Sequence, residues 1–275
     1  MENEYIKPDF IQDSSLEILT GQEKPILQAE NLSIRFGSNS VLRDIDFSVF
    51  KGETIAIIGE SGCGKTVLLK TLIGLNEPDN GRILFDSNDL NKLSYFDLAR
   101  IRTRYGFVFQ QAALFDSMTI RENIAFSLVQ HTTKSKKEIN EIVERLVNEV
   151  GLSPQVLDKK PAELSGGMRK RVGFARALAL EPELILYDEP TTGLDPIMSN
   201  VINELMIETH TRYNVTSIMV THDMKSACKV AGRIIMLYPI AKLKESEPQI
   251  IFDGTIEELK ISKDQRVQQF LGIKC

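Results

Sequence analysis

Long apolar runs are missing from this chain. Nowhere in its 275 residues do 18 or more apolar residues follow one another, so no segment reads as a membrane-crossing helix. A basic excess is missing as well: 33 Lys and Arg stand against 38 Asp and Glu, for a net charge of -5 and a pI near 5.4. That balance removes the general electrostatic case for nucleic acid and for unaided binding to anionic lipid, so any membrane contact is expected to run through a protein partner. Cysteine is scarce and odd in number. Cys63, Cys228 and Cys275 are too scattered for a disulfide framework or a zinc spacing, which fits a reducing cytosol. The N-terminus, MENEYIKPDF, is acidic where an export signal would be basic and then apolar, so no export is expected. Internal repeats and low-complexity tracts are also lacking.

What is present is a globular composition, 42% hydrophobic in a chain long enough to bury a sizeable core. Residues 1–25 carry six acids (Glu2, Glu4, Asp9, Asp13, Glu17, Glu23) against Lys7 and Lys24, with little apolar periodicity. They are expected to form a mobile extension, or else a docking or regulatory arm. From ILQAENLSIRF onward, short β-rich runs alternate with helical ones, which predicts an α/β sheet. TIAIIG (54–59), YGFVFQ (105–110), LILYDE (184–189), TSIMVTH (216–222) and RIIMLY (233–238) are its candidate strands. KKEINEIVERLVNEVG puts Ile139, Ile142, Val143, Leu146, Val147 and Val150 on one helical face, stopped by Gly151. Ser153 followed by Pro154 reads as another helix start, and the stretch from about 98 to 180 as mostly helical.

The first chemical signal is GESGCGKT, Gly59 to Thr66, which fits G-x-x-x-x-G-K-[ST] and lies between a strand and a helix. Glycine lets backbone N–H groups wrap phosphate oxygens, and a helix N-terminus adds partial positive charge. The nucleotide is therefore expected at Gly59, Glu60, Ser61, Gly62, Cys63, Gly64, Lys65, Thr66 and Val67, with Lys65 reaching the β- and γ-phosphates and the Thr66 hydroxyl binding Mg²⁺. Cys63 is either a small tolerated residue or a thiol acidified by Lys65 and the helix end. The apolar run LILYDEP then ends in two adjacent carboxylates. Strand alternation would send them apart, leaving Asp188 for the metal and Glu189 as general base toward an attacking water.

With GESGCGKT, LSGGM and LILYDEPTTGLD in this order, residues from about 26 to 260 resemble the nucleotide-binding subunit of an ABC transporter. The resemblance implies a P-loop α/β fold with a mixed β-sheet core, an antiparallel β subdomain and an inserted α-helical subdomain, followed by a C-terminal extension over 261–275. It also implies ATP hydrolysis with Mg²⁺ and head-to-tail pairing with a second copy. Ser165, Gly166 and Gly167 would then face ATP held by the other copy, as an anion site of hydroxyl, bare N–H groups and helix dipole. Capping of the helix by Ser165 is compatible with that role. By the same resemblance Gln110, with Gln111 beside it, senses Mg²⁺ and the water, and His222 in VTHD contacts the γ-phosphate. Asp195 in TGLDP couples the two sites, and Phe36 in IRFG stacks on adenine.

Finer features narrow the resemblance. The stretch from Lys65 to Asp188 is too short for the long coiled coils of DNA-repair and chromosome-structuring relatives, and a single cassette is present, so transport is favoured over nucleic-acid work. The permease must be a separate chain. ALFDSMTIRENI, where Thr119 and Glu122 have capping-box spacing, corresponds to the groove that receives a permease helix; Leu114, Phe115 and Met118 are either contacts there or core. Met168 stands where many relatives have Gln in LSGGQ. Together with QQAALFDSMTIREN, YDEPTTGLDPI and VQQFLG it resembles the Mla and Mkl group, implying lipid transport at the cytoplasmic face of the inner membrane with a permease and an MCE-domain protein. An importer ATPase for amino acids or another small solute is the alternative. PIAKLKESEPQ, bounded by Pro239 and Pro248, is longer than the hairpin turn the family implies, as a tolerated insertion or a docking loop. The tail that follows is expected to reach the neighbouring subunit.

Overall fold

The computed structural model describes residues 24–272; the acidic N-terminal stretch up to residue 23 and the last three residues lie outside them. The described chain runs β1 (Leu27–Phe36), β2 (Asn39–Val49), β3 (Thr54–Ile58), α1 (Lys65–Leu72), β4 (Asn80–Phe85), β5 (Asn88–Asp89), α2 (Tyr95–Arg102) and β6 (Tyr105–Val108). Three helices follow, α3 (Ile120–His131), α4 (Lys136–Glu149) and α5 (Gly166–Leu178). Then come β7 (Leu184–Asp188), α6 (Pro196–Tyr213), β8 (Thr216–Thr221), α7 (Met224–Val230), β9 (Arg233–Leu237), β10 (Ile250–Thr255), α8 (Ile256–Lys260) and α9 (Gln265–Leu271).

The strands form two sheets. One is antiparallel, in the order β2-β1-β4-β5; the other has the order β10-β9-β3-β8-β7-β6 and is parallel except for β10. β3 lies inside the second sheet, and its residues Ile55, Ala56, Ile57 and Ile58 have no exposed surface, as a parallel strand covered on both faces requires. Alternation divides them between two cores. Ile55 and Ile57 pack with β1 and β2 residues such as Leu27, Leu42 and Ile45, whereas Ala56 and Ile58 join the core that includes Ile124, Val143 and Phe174 from α3, α4 and α5. Each fully buried isoleucine is worth about 1.5–3 kcal/mol of transfer free energy.

The amphipathic helix is α4. Ser135 and Glu138 cap it reciprocally, Ile139, Val143, Leu146 and Val147 are buried, and Gly151 follows its end at φ 67°. The helix expected after Ser153 is one 3-10 turn, Pro154–Val156, with the Ser153 hydroxyl accepting from Gln155 N–H at 3.3 Å. Several expected strands are shorter than their apolar pattern. Pairing stops at Ile58, Val108, Asp188, Thr221 and Leu237, so Gly59, Gln110, Glu189 and His222 stand just beyond strand ends in connecting turns. In open α/β sheets that carboxyl edge is where ligands bind.

Candidate functional site

The loop from Gly59 to Gly64 is squeezed between two strands. A Cβ at Gly59 (φ 152°) would lie 2.4 Å from the Leu237 carbonyl oxygen, and one at Gly64 (φ 99°) 2.9 Å from the Val41 carbonyl oxygen, so neither position admits a side chain. Gly64 opens α1 without a side-chain cap, leaving the first helical N–H groups for a ligand. Lys65 is buried and folds back over the loop: Nζ donates to Gly59 O at 2.8 Å and Glu60 O at 3.0 Å. Thr66 Oγ1 donates to Asp188 Oδ1 at 2.9 Å. Ser61 and Gly62 are exposed, and Val67 is half-buried against the core between the sheets.

Of the two readings of Cys63, a small tolerated residue or an acidified thiol, the structure favours the first. The Cys63 side chain is only 2% exposed and packs in the core between the sheets, where burial pushes the thiol pKa up more strongly than Lys65 pulls it down.

Asp188 ends β7 and is 5% exposed; burial raises its carboxyl pKa, with the Thr66 hydrogen bond acting the other way. Glu189 does not continue the strand. Its φ of 48° is left-handed, so the two carboxylates diverge because the backbone turns and not because a strand alternates. Such strain collects at functional sites. Glu189 Oε2 accepts from His222 Nδ1 at 2.8 Å and from Thr192 Oγ1 at 2.9 Å, while its N–H donates to Val220 O at 3.0 Å. Glu189 and His222, expected separately, are thus directly paired.

Two basic residues escaped the sequence reading. Lys170 on α5 is buried, and its Nζ donates to Pro190 O at 2.8 Å and Thr192 O at 2.6 Å, fixing the turn after Glu189. Burial lowers its pKa, opposed by the Glu189 charge. Arg176 on the same helix donates to Ala113 O at 2.7 Å and Ala112 O at 2.8 Å, in the turn that follows Gln110. A basic helix ordinarily means a solvated face, so only the burial of Lys170 and the partial burial of Arg176 could reveal them. Gln110 is exposed, at the open edge of the site.

Ser165 caps α5, its Oγ accepting from Met168 N–H at 3.3 Å, and Asp195 caps α6, its Oδ1 accepting from Met198 N–H at 2.9 Å. Met198, in the first turn of α6, reaches toward the start of α5 with its side chain. A Cβ at Gly167 would come within 2.7 Å of Met198 Cε, so the bare glycine leaves room for that side-chain tip. Ser165, Gly166 and Asp195 are exposed, and the hydrogen bond of Ser165 runs within its own helix and not to the phosphate loop of the same chain. Phe36, at the end of β1, is 55% exposed.

The ABC transporter family profile matches residues 42–192, which take in the phosphate loop, α5 and the Asp188–Glu189 turn. The chain belongs to the ABC transporter family. This ATP-binding cassette is an ATPase, and its relatives include Mla- and Mkl-type proteins. It is 38% identical to the intermembrane phospholipid transport system ATP-binding protein MlaF of Haemophilus influenzae, over 90% of both chains. It is 39% identical to the "probable ribonucleotide transport ATP-binding protein mkl" of Mycobacterium leprae, over 90% of this chain and 68% of that one. The L-cystine import ATP-binding protein TcyC of Bacillus subtilis is 36% identical, over 90% and 98%. A solved dimer of an ATP-binding cassette in a post-hydrolysis state with ADP and Pi superimposes at a TM-score of 0.73, with 30% identity over 83% of this chain and 98% of that one. The two-sheet architecture with helices inserted between β6 and β7 is the cassette fold. Among the described residues no helix is long and apolar enough to cross a membrane.

Proposed function

We propose that this cassette powers movement of phospholipid between membranes, working at the cytoplasmic face of the inner membrane with a separate permease and an MCE-domain lipid-binding protein. The observation that carries the reading is the likeness to MlaF over nine-tenths of both chains, supported by Met168 at the fifth place of the signature. Import of an amino acid or another small solute is the second reading, favoured by the likeness to TcyC.

The geometry supports the following catalytic roles. The Lys65 ammonium and the bare N–H groups at the start of α1 hold the β- and γ-phosphates, and Phe36 offers an exposed ring to adenine. Thr66 Oγ1 and Asp188 Oδ1 converge as a hydroxyl and a carboxylate oxygen, the hard donors that suit Mg²⁺ held mainly by phosphates and water. When bound, Mg²⁺ would neutralise phosphate charge there, with Gln110 at the open edge. Glu189 takes the proton of the attacking water. His222 and Thr192 hold that carboxylate through Oε2, which leaves Oε1 for the water. Ser165, Gly166 and Gly167 of a second, head-to-tail copy close over the γ-phosphate, and Asp195 couples the two sites. Differential contact with ATP over ADP then opens and closes the pair, and the permease reads that motion at the groove around Phe115. Phe115 is 44% exposed there, Leu114 is partly buried on the core, and Met118 is half-buried.

The test is to purify the chain with its native membrane partners, identify them by mass spectrometry and extract bound lipid. An MCE-domain protein with phospholipid supports the reading. A solute permease with a substrate-binding protein overturns the lipid assignment and leaves the ATPase chemistry in place.

A further inference from the structure

The insertion between β9 and β10 plays no part in the site as described, yet it is fastened to the phosphate loop at two points. Lys242 Nζ donates to Glu60 Oε2 at 2.6 Å. Gln249 has no exposed surface; its Nε2 donates to Cys63 O at 3.0 Å and to Val41 O at 3.2 Å, and its Oε1 accepts from Arg43 N–H at 2.9 Å. Arg43 in turn clamps the insertion onto β2, its Nη2 donating to Lys244 O and Glu247 O, both at 2.9 Å. On the outer side Arg266 of α9 lies 3.8 Å from Glu247 and 5.4 Å from the Tyr238 ring centroid, and Lys242 lies 5.8 Å from the same ring.

We propose that residues 239–249 form a strap that positions the phosphate loop for ATP, with Gln249 and Lys242 as its positioning residues. The inference rests on the ATPase activity and is independent of the transported substrate. Two physical effects are at work. The Cys63 carbonyl and the Gly64 N–H belong to one planar trans peptide and point in opposite directions, so anchoring the oxygen to Gln249 aims the N–H at the opposite face. Phosphate-binding loops act through such aimed N–H groups. Any slippage would leave a buried carbonyl unpaired, so the anchor is stiff. Lys242 acts by charge. The Glu60 carboxylate stands within the anion-binding loop, and the ammonium neutralises a repulsion that a triphosphate would otherwise meet.

The experiment compares ATP dissociation constants, KM and kcat for the full-length chain and its variants. Lys242→Ala is expected to raise Kd and KM about two- to fivefold with kcat unchanged, the scale of an exposed ion pair, and the effect should shrink in high salt. Lys242→Arg should restore wild-type KM, and in a Glu60→Gln background Lys242→Ala should shift nothing further. Gln249→Met keeps the side-chain length and removes its hydrogen bonds; KM should rise by about tenfold or more. An unaltered KM in folded Lys242→Ala overturns the charge role, and a Gln249→Met protein with a lowered melting temperature but wild-type ATP affinity reduces the strap to packing. Should Gln249→Met fail to fold, the Lys242 and Glu60 cycle decides. A wild-type chain that binds no ATP would instead refute the nucleotide assignment itself.

Discussion

Replacing Glu189 by Gln separates the chemistry from the scaffold. The carboxylate is 12% exposed and receives two hydrogen bonds on Oε2, from His222 Nδ1 at 2.8 Å and Thr192 Oγ1 at 2.9 Å. An amide oxygen still accepts both, so the change weakens two charge-assisted bonds without orphaning a donor, a loss of about 2 kcal/mol at most. A general base contributes about 10²–10⁴-fold in rate, or roughly 3–5 kcal/mol of barrier, so kcat should fall by that factor while ATP affinity is kept. Phosphate release measured beside equilibrium ATP binding reads both quantities. Because ATP persists, a larger share of the chain should also run as a dimer in size-exclusion chromatography with ATP. Undiminished turnover in a properly folded variant would remove Glu189 as the base and leave the His222–Glu189 pair a structural contact.

Other outcomes follow from the same geometry. Burial holds the Asp188 carboxyl pKa above its unfolded value, so its contribution to stability is fully present below the unfolded pKa and is lost as pH rises through the folded one. Asp188→Asn should therefore melt higher than wild type at neutral pH without nucleotide, while Mg²⁺-dependent hydrolysis is abolished; a lower melting point would contradict the burial argument. Gly167→Ala should be nearly neutral in melting temperature, since the helix gain of about 1 kcal/mol meets the 2.7 Å approach of Met198 Cε, yet ATP-driven pairing should fail. A variant that pairs normally would place the signature glycine outside the interface. Iodoacetamide should label Cys63 only at the rate of unfolding, given 2% exposure and a raised thiol pKa, and rapid labelling of the native chain followed by peptide mapping would disprove that burial.

The parallel strands were legible because apolar runs such as LILYD and TIAII must be buried on both faces. Their ends were not. YGFVFQ and LILYDE keep an apolar-then-polar pattern past the last paired residue, but pairing stops with the neighbouring strand, and the residues left over at the tip are those placed in the site. β2 was not among the strands read from sequence: the register shifts near Asp44, which has φ 48°, and the slip hides the alternation of Leu42, Ile45 and Phe47. The phosphate loop, Asp188 and Glu189 could be found because short contiguous motifs carry their chemistry. The Glu189–His222 pair, the Lys170 anchor and the Gln249 anchor join residues 20 or more positions apart and become visible only once the sheet is assembled.

β3 has a further consequence. With Ile55 and Ile57 in one core and Ala56 and Ile58 in the other, neither core can open without exposing this strand. Its amides should exchange with solvent only when the whole domain unfolds. The segment that meets ATP therefore hangs directly from the last part of the molecule to let go, so the helices around it can loosen during a transport cycle while the phosphate loop keeps its place.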